Sequence, residues 1–266
     1  MKFRQIILFI LVLAIPFVLS WPKAIEAEIL TKEGDNLKIV VLNYHKVDDK
    51  NLALSIAPQD FAQQMEYLAE EGYHTITPDQ LLDYLEFDKE LPEKPVLITF
   101  DDGYADNYKN AYPILKKYGF KATIFVITDY LNVYPNYITW NQAKEMSKNG
   151  ITIASHTMQH KSMTTLTDEE VKKELEGSAK AINYHLGKQN QYVAYPTGTY
   201  NLHIARLVKE SGYRAAFSIK YGNVDKASNL YALERVPIFR TNNTFRSFLE
   251  RIRYVSLYER LGWIKS

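Results

Sequence analysis

Val96-Leu97-Ile98-Thr99-Phe100-Asp101-Asp102-Gly103 is a nearly continuous apolar run of strand-forming residues that stops on two acids and a glycine. A strand with one wet face alternates apolar and polar residues, whereas an unbroken apolar run suits a parallel sheet covered on both faces. Candidate strands also lie at 39–43, 122–127, 151–155, 192–195, 214–219 and 236–239, several of them unbroken in the same way. The stretches between them end in glycine followed by an aromatic or β-branched residue, as in Gly72-Tyr73, Gly119-Phe120, Gly150-Ile151 and Gly212-Tyr213, which is how helices stop. Helix starts are marked by Thr77-Pro78-Asp79-Gln80, Thr139-Trp140-Asn141-Gln142 and Thr167-Asp168-Glu169-Glu170, each a capping box of Thr followed three residues later by Gln or Glu. Strands alternating with helices predict an α/β fold, a (β/α) barrel in preference to an open doubly wound sheet. In such a barrel functional groups gather at the C-terminal ends of the strands.

The chain has 266 residues, 46% hydrophobic and 24% charged, enough for one sizeable core and too short for two comfortable domains. Its formal charge is +1, which gives no field to attract nucleic acid. Cysteine is absent, which excludes a disulfide framework, a thiolate metal site and a cysteine nucleophile. Met1-Lys2-Phe3-Arg4-Gln5 is positively charged and the run from Ile6 to Ser20 is uncharged, so residues 1–27 are expected to be a secretory signal ending at Ala27, or an uncleaved anchor. A polar linker over 28–37 follows, and the domain is expected over 38–266. Its working place is then outside the cytoplasmic membrane, secreted or on the cell surface, with membrane contact only through the N-terminal segment.

The strand ends carry Asn43-Tyr44-His45, Asp101-Asp102-Gly103, Ser155-His156-Thr157-Met158-Gln159-His160 and Ala194-Tyr195-Pro196-Thr197-Gly198. Neighbouring side chains in a strand face opposite ways, so adjacent aspartates share a site only where the chain leaves the sheet, which Gly103 permits. His156 and His160, four residues apart, fit one side of a helical turn or tight loop and can hold one divalent cation. With a carboxylate nearby, a site of two His and one Asp is the better account, open to water and substrate. His74, His185 and His203 have no such company and are expected to be structural or exposed.

Thr99-Phe100-Asp101-Asp102-Gly103 and Ser155-His156-Thr157-Met158-Gln159-His160, about 50 residues apart, resemble the first two motifs of the polysaccharide deacetylases (NodB-like, carbohydrate esterase family 4). The leading Leu42-Asn43-Tyr44-His45-Lys46-Val47, the helix from Ala111 to Tyr118 and the segment from Ala194 to Gly198 are most similar to the poly-N-acetylglucosamine deacetylases of biofilm matrix. The resemblance implies a single-domain, distorted and incomplete (β/α) barrel of about seven parallel strands. It implies Asp102, His156 and His160 as metal ligands, Asp101 as general base and the backbone N–H of Thr197 as an oxyanion donor. The cation is expected to be Zn²⁺, with Co²⁺, Ni²⁺, Fe²⁺ or Mn²⁺ as substitutes.

Two positions depart from the family pattern. Where a late Leu-x-His supplies the general acid, this chain reads Leu233-Glu234-Arg235, and His45 is assigned instead, because the matrix-glycan branch resembles a circularly permuted form with the late strand first. Where the third motif begins with an Arg that steadies the catalytic Asp, Ala194 stands here, and Arg235 is the candidate substitute. Tyr195 and Trp140 are the expected sugar-stacking rings, ahead of Tyr104, Tyr137 and Tyr200.

The implied reaction is removal of acetyl groups from N-acetylglucosamine units of an extracellular polysaccharide, by a monomer. Poly-β-1,6-N-acetylglucosamine is the first substrate expected, then peptidoglycan, then chitin-like oligomers. The alternatives are a glycan-binding protein on the same fold and, more remotely, a glycosidase, which sequence-adjacent acids disfavour because they do not flank a bond.

Overall fold

The parity of each strand sorts its side chains into two populations, and the barrel follows from that sorting. In the computed structural model, which describes residues 37–263, the strands in chain order are β1 (Val40–Tyr44), the short β2 (Lys46–Val47), β3 (Ser55–Ile56) and β4 (His74–Thr75), then β5 (Pro95–Phe100), β6 (Ala122–Val126), β7 (Ile151–Ser155), β8 (Tyr192–Ala194), β9 (Ala215–Tyr221) and β10 (Leu233–Pro237). The helices are α1 (Pro58–Glu70), α2 (Pro78–Phe87), α3 (Tyr112–Lys117), α4 (Trp140–Lys148), α5 (Asp168–Leu186), α6 (Leu202–Glu210) and α7 (Thr244–Arg260). Seven strands, β1 and β5 to β10, form a parallel ring that β1 closes by pairing with β5 on one side and β10 on the other. β4 pairs with the start of β5, and β2 with β3 makes a separate ribbon. The ring has one strand fewer than the eight-stranded barrel.

Leu42, Tyr44, Ile98, Phe100, Ile124, Val126 and Val236 pack with Phe61, Met65 and Leu68 of α1 and Phe248 of α7, so these positions face outward into the helical layer. The alternate positions, Val41, Leu97, Phe125, Ala154, Ala194, Phe217 and Leu233, form the interior cluster, joined by Leu81 and Leu82 of α2, which close the N-terminal end of the ring. A third cluster joins Val193, Tyr195 and Ala216 to α5 and α6. Being apolar on both sides is what makes the strands read as unbroken apolar runs.

All seven expected ring strands are present. Only the last is displaced, from 236–239 to Leu233–Pro237, because its inward charged residue, Arg235, hides the strand from any polarity pattern. The three expected capping boxes form, with Thr77, Thr139 and Thr167 each accepting from the N–H three residues on. Among the described residues no helix is long and apolar enough to cross a membrane. The signal or anchor over 1–27 and all but the last residue of the linker lie outside the described residues.

Candidate active site

Continuing the inward parity of each strand by one step brings the polar side chains together. Asn43 and His45 continue Val41, Asp101 continues Leu97 and Thr99, His156 continues Ala154, and Arg235 continues Leu233, all at the C-terminal mouth of the ring. Asp101 is buried, and its carboxylate accepts Arg235 Nη1–H on Oδ1 and Nη2–H on Oδ2, both at 2.7 Å, and Asn43 Nδ2–H on Oδ2 at 3.0 Å. Arg235 is itself fully buried and donates its Nε–H to the Ser218 carbonyl at 2.7 Å. Burial alone would raise the Asp101 carboxyl, but the Arg235 guanidinium, with His156 and His45 nearby, outweighs it and holds the group well below the usual carboxylate range. The absent third-motif arginine is therefore replaced from β10.

Asp102 turns the other way. Its φ of +74° leaves the strand geometry, and Gly103 continues the turn at φ +77° with its Cα against Val126, where a Cβ would come within 2.9 Å of Cγ1. The Asp102 carboxylate consequently meets the two imidazoles, with Oδ1 3.5 Å from His156 Nε2 and 3.4 Å from His160 Nε2. One ligand atom from each of the three residues lies within 4.8 Å of the others. Bonds of about 2.0–2.1 Å in tetrahedral array separate ligand atoms by about 3.3–3.4 Å, which the two Asp102–histidine separations match. His156 Nδ1 faces the Ala194 carbonyl at 2.8 Å, which can only accept, so the proton sits on Nδ1 and Nε2 keeps its lone pair for the site. Burial lowers the His156 pKa despite Asp101 and Asp102, and this favours the neutral, ligating form.

The two histidines come from a tight loop, not a helical turn. Thr157 and His160 are left-handed, at φ +64° and +59°. Non-glycine residues in this region are strained, and they persist only where surrounding bonds over-determine them.

His45 stands where β1 leaves the ring, its carbonyl tied to Asn107 Nδ2–H at 2.8 Å. Its imidazole is mostly buried, and desolvation, opposed by Asp101 and Asp102 and reinforced by Arg235, lowers its pKa. Thr197 is exposed and left-handed, at φ +58°, within the turn from Pro196 to Gly198.

The two expected stacking rings are elsewhere. Tyr195 is 0% exposed, donates its hydroxyl to the Tyr231 carbonyl at 2.8 Å and packs under α5 and α6. Parity carries the signal, since Ala194 faces in and its neighbour must face out. Trp140 is 7% exposed at the start of α4, its ring covered by His185 at 4.1 Å between centroids. The aromatic group at the site is Tyr104 stacked on Tyr137 at 5.1 Å, with Lys46 Nζ 4.1 Å above the Tyr104 ring. Burial and then the Asp102 charge raise the Tyr104 hydroxyl pKa.

A parallel barrel whose C-terminal mouth holds a clamped carboxylate beside three residues that could hold a cation has the arrangement of a barrel hydrolase. The polysaccharide deacetylase family model matches residues 88–216. YxkH of Bacillus subtilis, whose name assigns it to the polysaccharide deacetylases, is 36% identical over 218 residues, covering 81% of this chain and 77% of that protein. The poly-β-1,6-N-acetyl-D-glucosamine N-deacetylase of Staphylococcus aureus is 28% identical over 94% of this chain and 97% of its own length. The Streptococcus pyogenes deacetylase PplD, solved in complex with acetate, superposes with a TM-score of 0.77 at 29% identity, over 81% of this chain and 98% of that one. The chain belongs to the polysaccharide deacetylase family and is a deacetylase enzyme.

Proposed function

We propose that the chain is a metal-dependent N-deacetylase of an extracellular N-acetylglucosamine polysaccharide, with poly-β-1,6-N-acetylglucosamine as its substrate. What carries the assignment of roles is the divergence of two neighbouring carboxylates: Asp101 is clamped by Arg235 and Asn43, while Asp102 meets His156 and His160. Asp102, His156 and His160 would hold the cation, Zn²⁺ first by the donor set of two imidazoles and a carboxylate. Such an ion supplies Lewis acidity at an amide carbonyl and acidifies water.

Asp101 takes the proton from the attacking water. A carboxylate offers about four lone-pair positions, and three are engaged by Arg235 and Asn43, so one remains for that water. The same bonds keep Asp101 anionic throughout the working pH range. The water oxygen bonds to the acetyl carbon, the C–N bond breaks, acetate leaves, and the sugar nitrogen gains a proton. His45 is the donor of that proton, and because burial leaves it neutral at rest it first takes up the proton that Asp101 drew from the water. The Thr197 N–H is assigned to the developing oxyanion. Tyr137, half-buried against Tyr104, replaces Trp140 and Tyr195 as the proposed sugar-facing ring.

The S. aureus relative, named for poly-β-1,6-N-acetyl-D-glucosamine, supports this polymer over peptidoglycan and chitin oligomers. The charged, then apolar N-terminus over 1–20 supports action outside the membrane by a chain tethered or exported through that segment. The test is acetate release by intact expressing cells supplied with each of the three polymers, all too large to enter. Preferential release from the β-1,6 polymer is expected; preference for peptidoglycan or chitin overturns the substrate, and release only after lysis overturns the location.

A further inference from the structure

Every backbone amide of the loop that carries both imidazoles is engaged, and its Thr157 and Met158 carbonyls accept from Thr128 N–H and Asp129 N–H, each at 3.1 Å. His156 N–H donates to the Val126 carbonyl at 2.8 Å, Thr157 N–H to Ser155 Oγ at 3.0 Å and His160 N–H to Thr157 Oγ1 at 3.1 Å. The two remaining amides, Met158 N–H and Gln159 N–H, both donate to Glu174 Oε2 on α5, at 2.8 and 2.9 Å. Glu174 is 6% exposed, a rare position for a glutamate unless its charge is engaged. Three and four residues on, the same face of α5 presents Gly177 and Ser178. Ser178 Oγ lies 2.6 Å from Ser155 Oγ, at the start of the loop. At Gly177 a Cβ would stand 2.1 Å from Met158 Sδ, so the methionine lies against the bare helix backbone.

The geometry points to Glu174 as a positioning residue for the cation site: its carboxylate, seconded by Gly177 and Ser178, fixes the loop in the left-handed course that turns His156 and His160 toward Asp102. This rests on the three-residue cation site proposed above and adds a device that holds it. A buried amide N–H that donates no bond inside the protein is costly, and here two neighbouring amides share one acceptor. Freed of it, the strained residues Thr157 and His160 relax toward ordinary backbone regions and the imidazoles lose their convergence.

The experiment titrates the metal-free, full-length chain with Zn²⁺ in competition with a chromophoric chelator, with far-UV circular dichroism confirming the fold of each variant. Glu174→Ala is expected to bind Zn²⁺ about 10–100-fold more weakly, the usual cost of losing an outer partner. Glu174→Gln keeps an oxygen able to accept both amides and is expected within about threefold of the wild type. Gly177→Ala, which displaces Met158, is expected to weaken Zn²⁺ binding, and adding Met158→Ala to restore it; this pair decides the matter if Glu174→Ala does not fold. Equal affinity of the wild type and Glu174→Ala, or of the wild type and Gly177→Ala should Glu174→Ala be unfolded, overturns the inference alone. Failure of the wild type to bind Zn²⁺ overturns the cation site and this inference with it.

Discussion

Arg235 is the residue that clamps Asp101, and it is fully buried with both carboxylate oxygens in its grasp. Removing one partner of such a pair strands a buried charge and costs about 3–5 kcal/mol. Arg235→Met should lower the urea midpoint of the metal-free chain accordingly, and the loss should depend on pH. In the wild type the folded Asp101 carboxyl is held below its unfolded value of about 3.9, so its stabilising contribution is complete above that pH and declines as pH falls through it. In Arg235→Met burial is opposed only by Asn43 and the two histidines, so the folded carboxyl rises and this contribution shrinks. The gap between the two proteins should therefore widen as pH rises through about 4; a gap independent of pH would show that the ion pair does not control Asp101. Arg235 was legible as a candidate because Arg235-Val236-Pro237 stands at the expected last strand of the ring. The misplacement of Tyr195 and Trp140 has a physical reason as well: nearness to a motif along the chain says nothing about which face of a strand or helix a ring occupies.

At the scale of elements, local chemistry was the readable part. The capping boxes at Thr77, Thr139 and Thr167 are closed by atoms three residues apart, so no tertiary knowledge is needed to see them. Thr167 starts the helix that, about two to three turns further on, holds Glu174, Gly177 and Ser178 against the histidine loop. Thr167→Ala is expected to cost about 1 kcal/mol, read as a lower urea midpoint with unchanged slope; no change would mean that the cap is redundant with the packing of Val171 and Leu175. What sequence could not give is the course of the loops. Left-handed Asp102, Thr157, His160 and Thr197 are non-glycine residues whose conformation is imposed by partners distant along the chain, such as Glu174. The histidine pair was accordingly legible as a pair, and its support from α5 was not.

For the whole molecule, the decisive arrangement is that β1, the first strand of the described chain, sits between β5 and β10 and closes the ring. That places Asn43 and His45 across the mouth from nothing more remote than Asp101 and Arg235, although 190 residues separate His45 from Arg235 in the chain. The alternation of strands and helices gave the barrel, and parity gave the mouth, but which distant residues become neighbours is set by closure. The proposed division of labour between adjacent aspartates is tested most directly by metal content and acetate release measured on the same samples of wild type, Asp101→Asn and Asp102→Asn. One divalent ion per chain with full turnover is expected for the wild type, loss of both for Asp102→Asn, and a retained ion with turnover reduced by about 10²–10⁴-fold for Asp101→Asn. Wild-type turnover by Asp101→Asn, or by a folded chain that carries no ion, would contradict it.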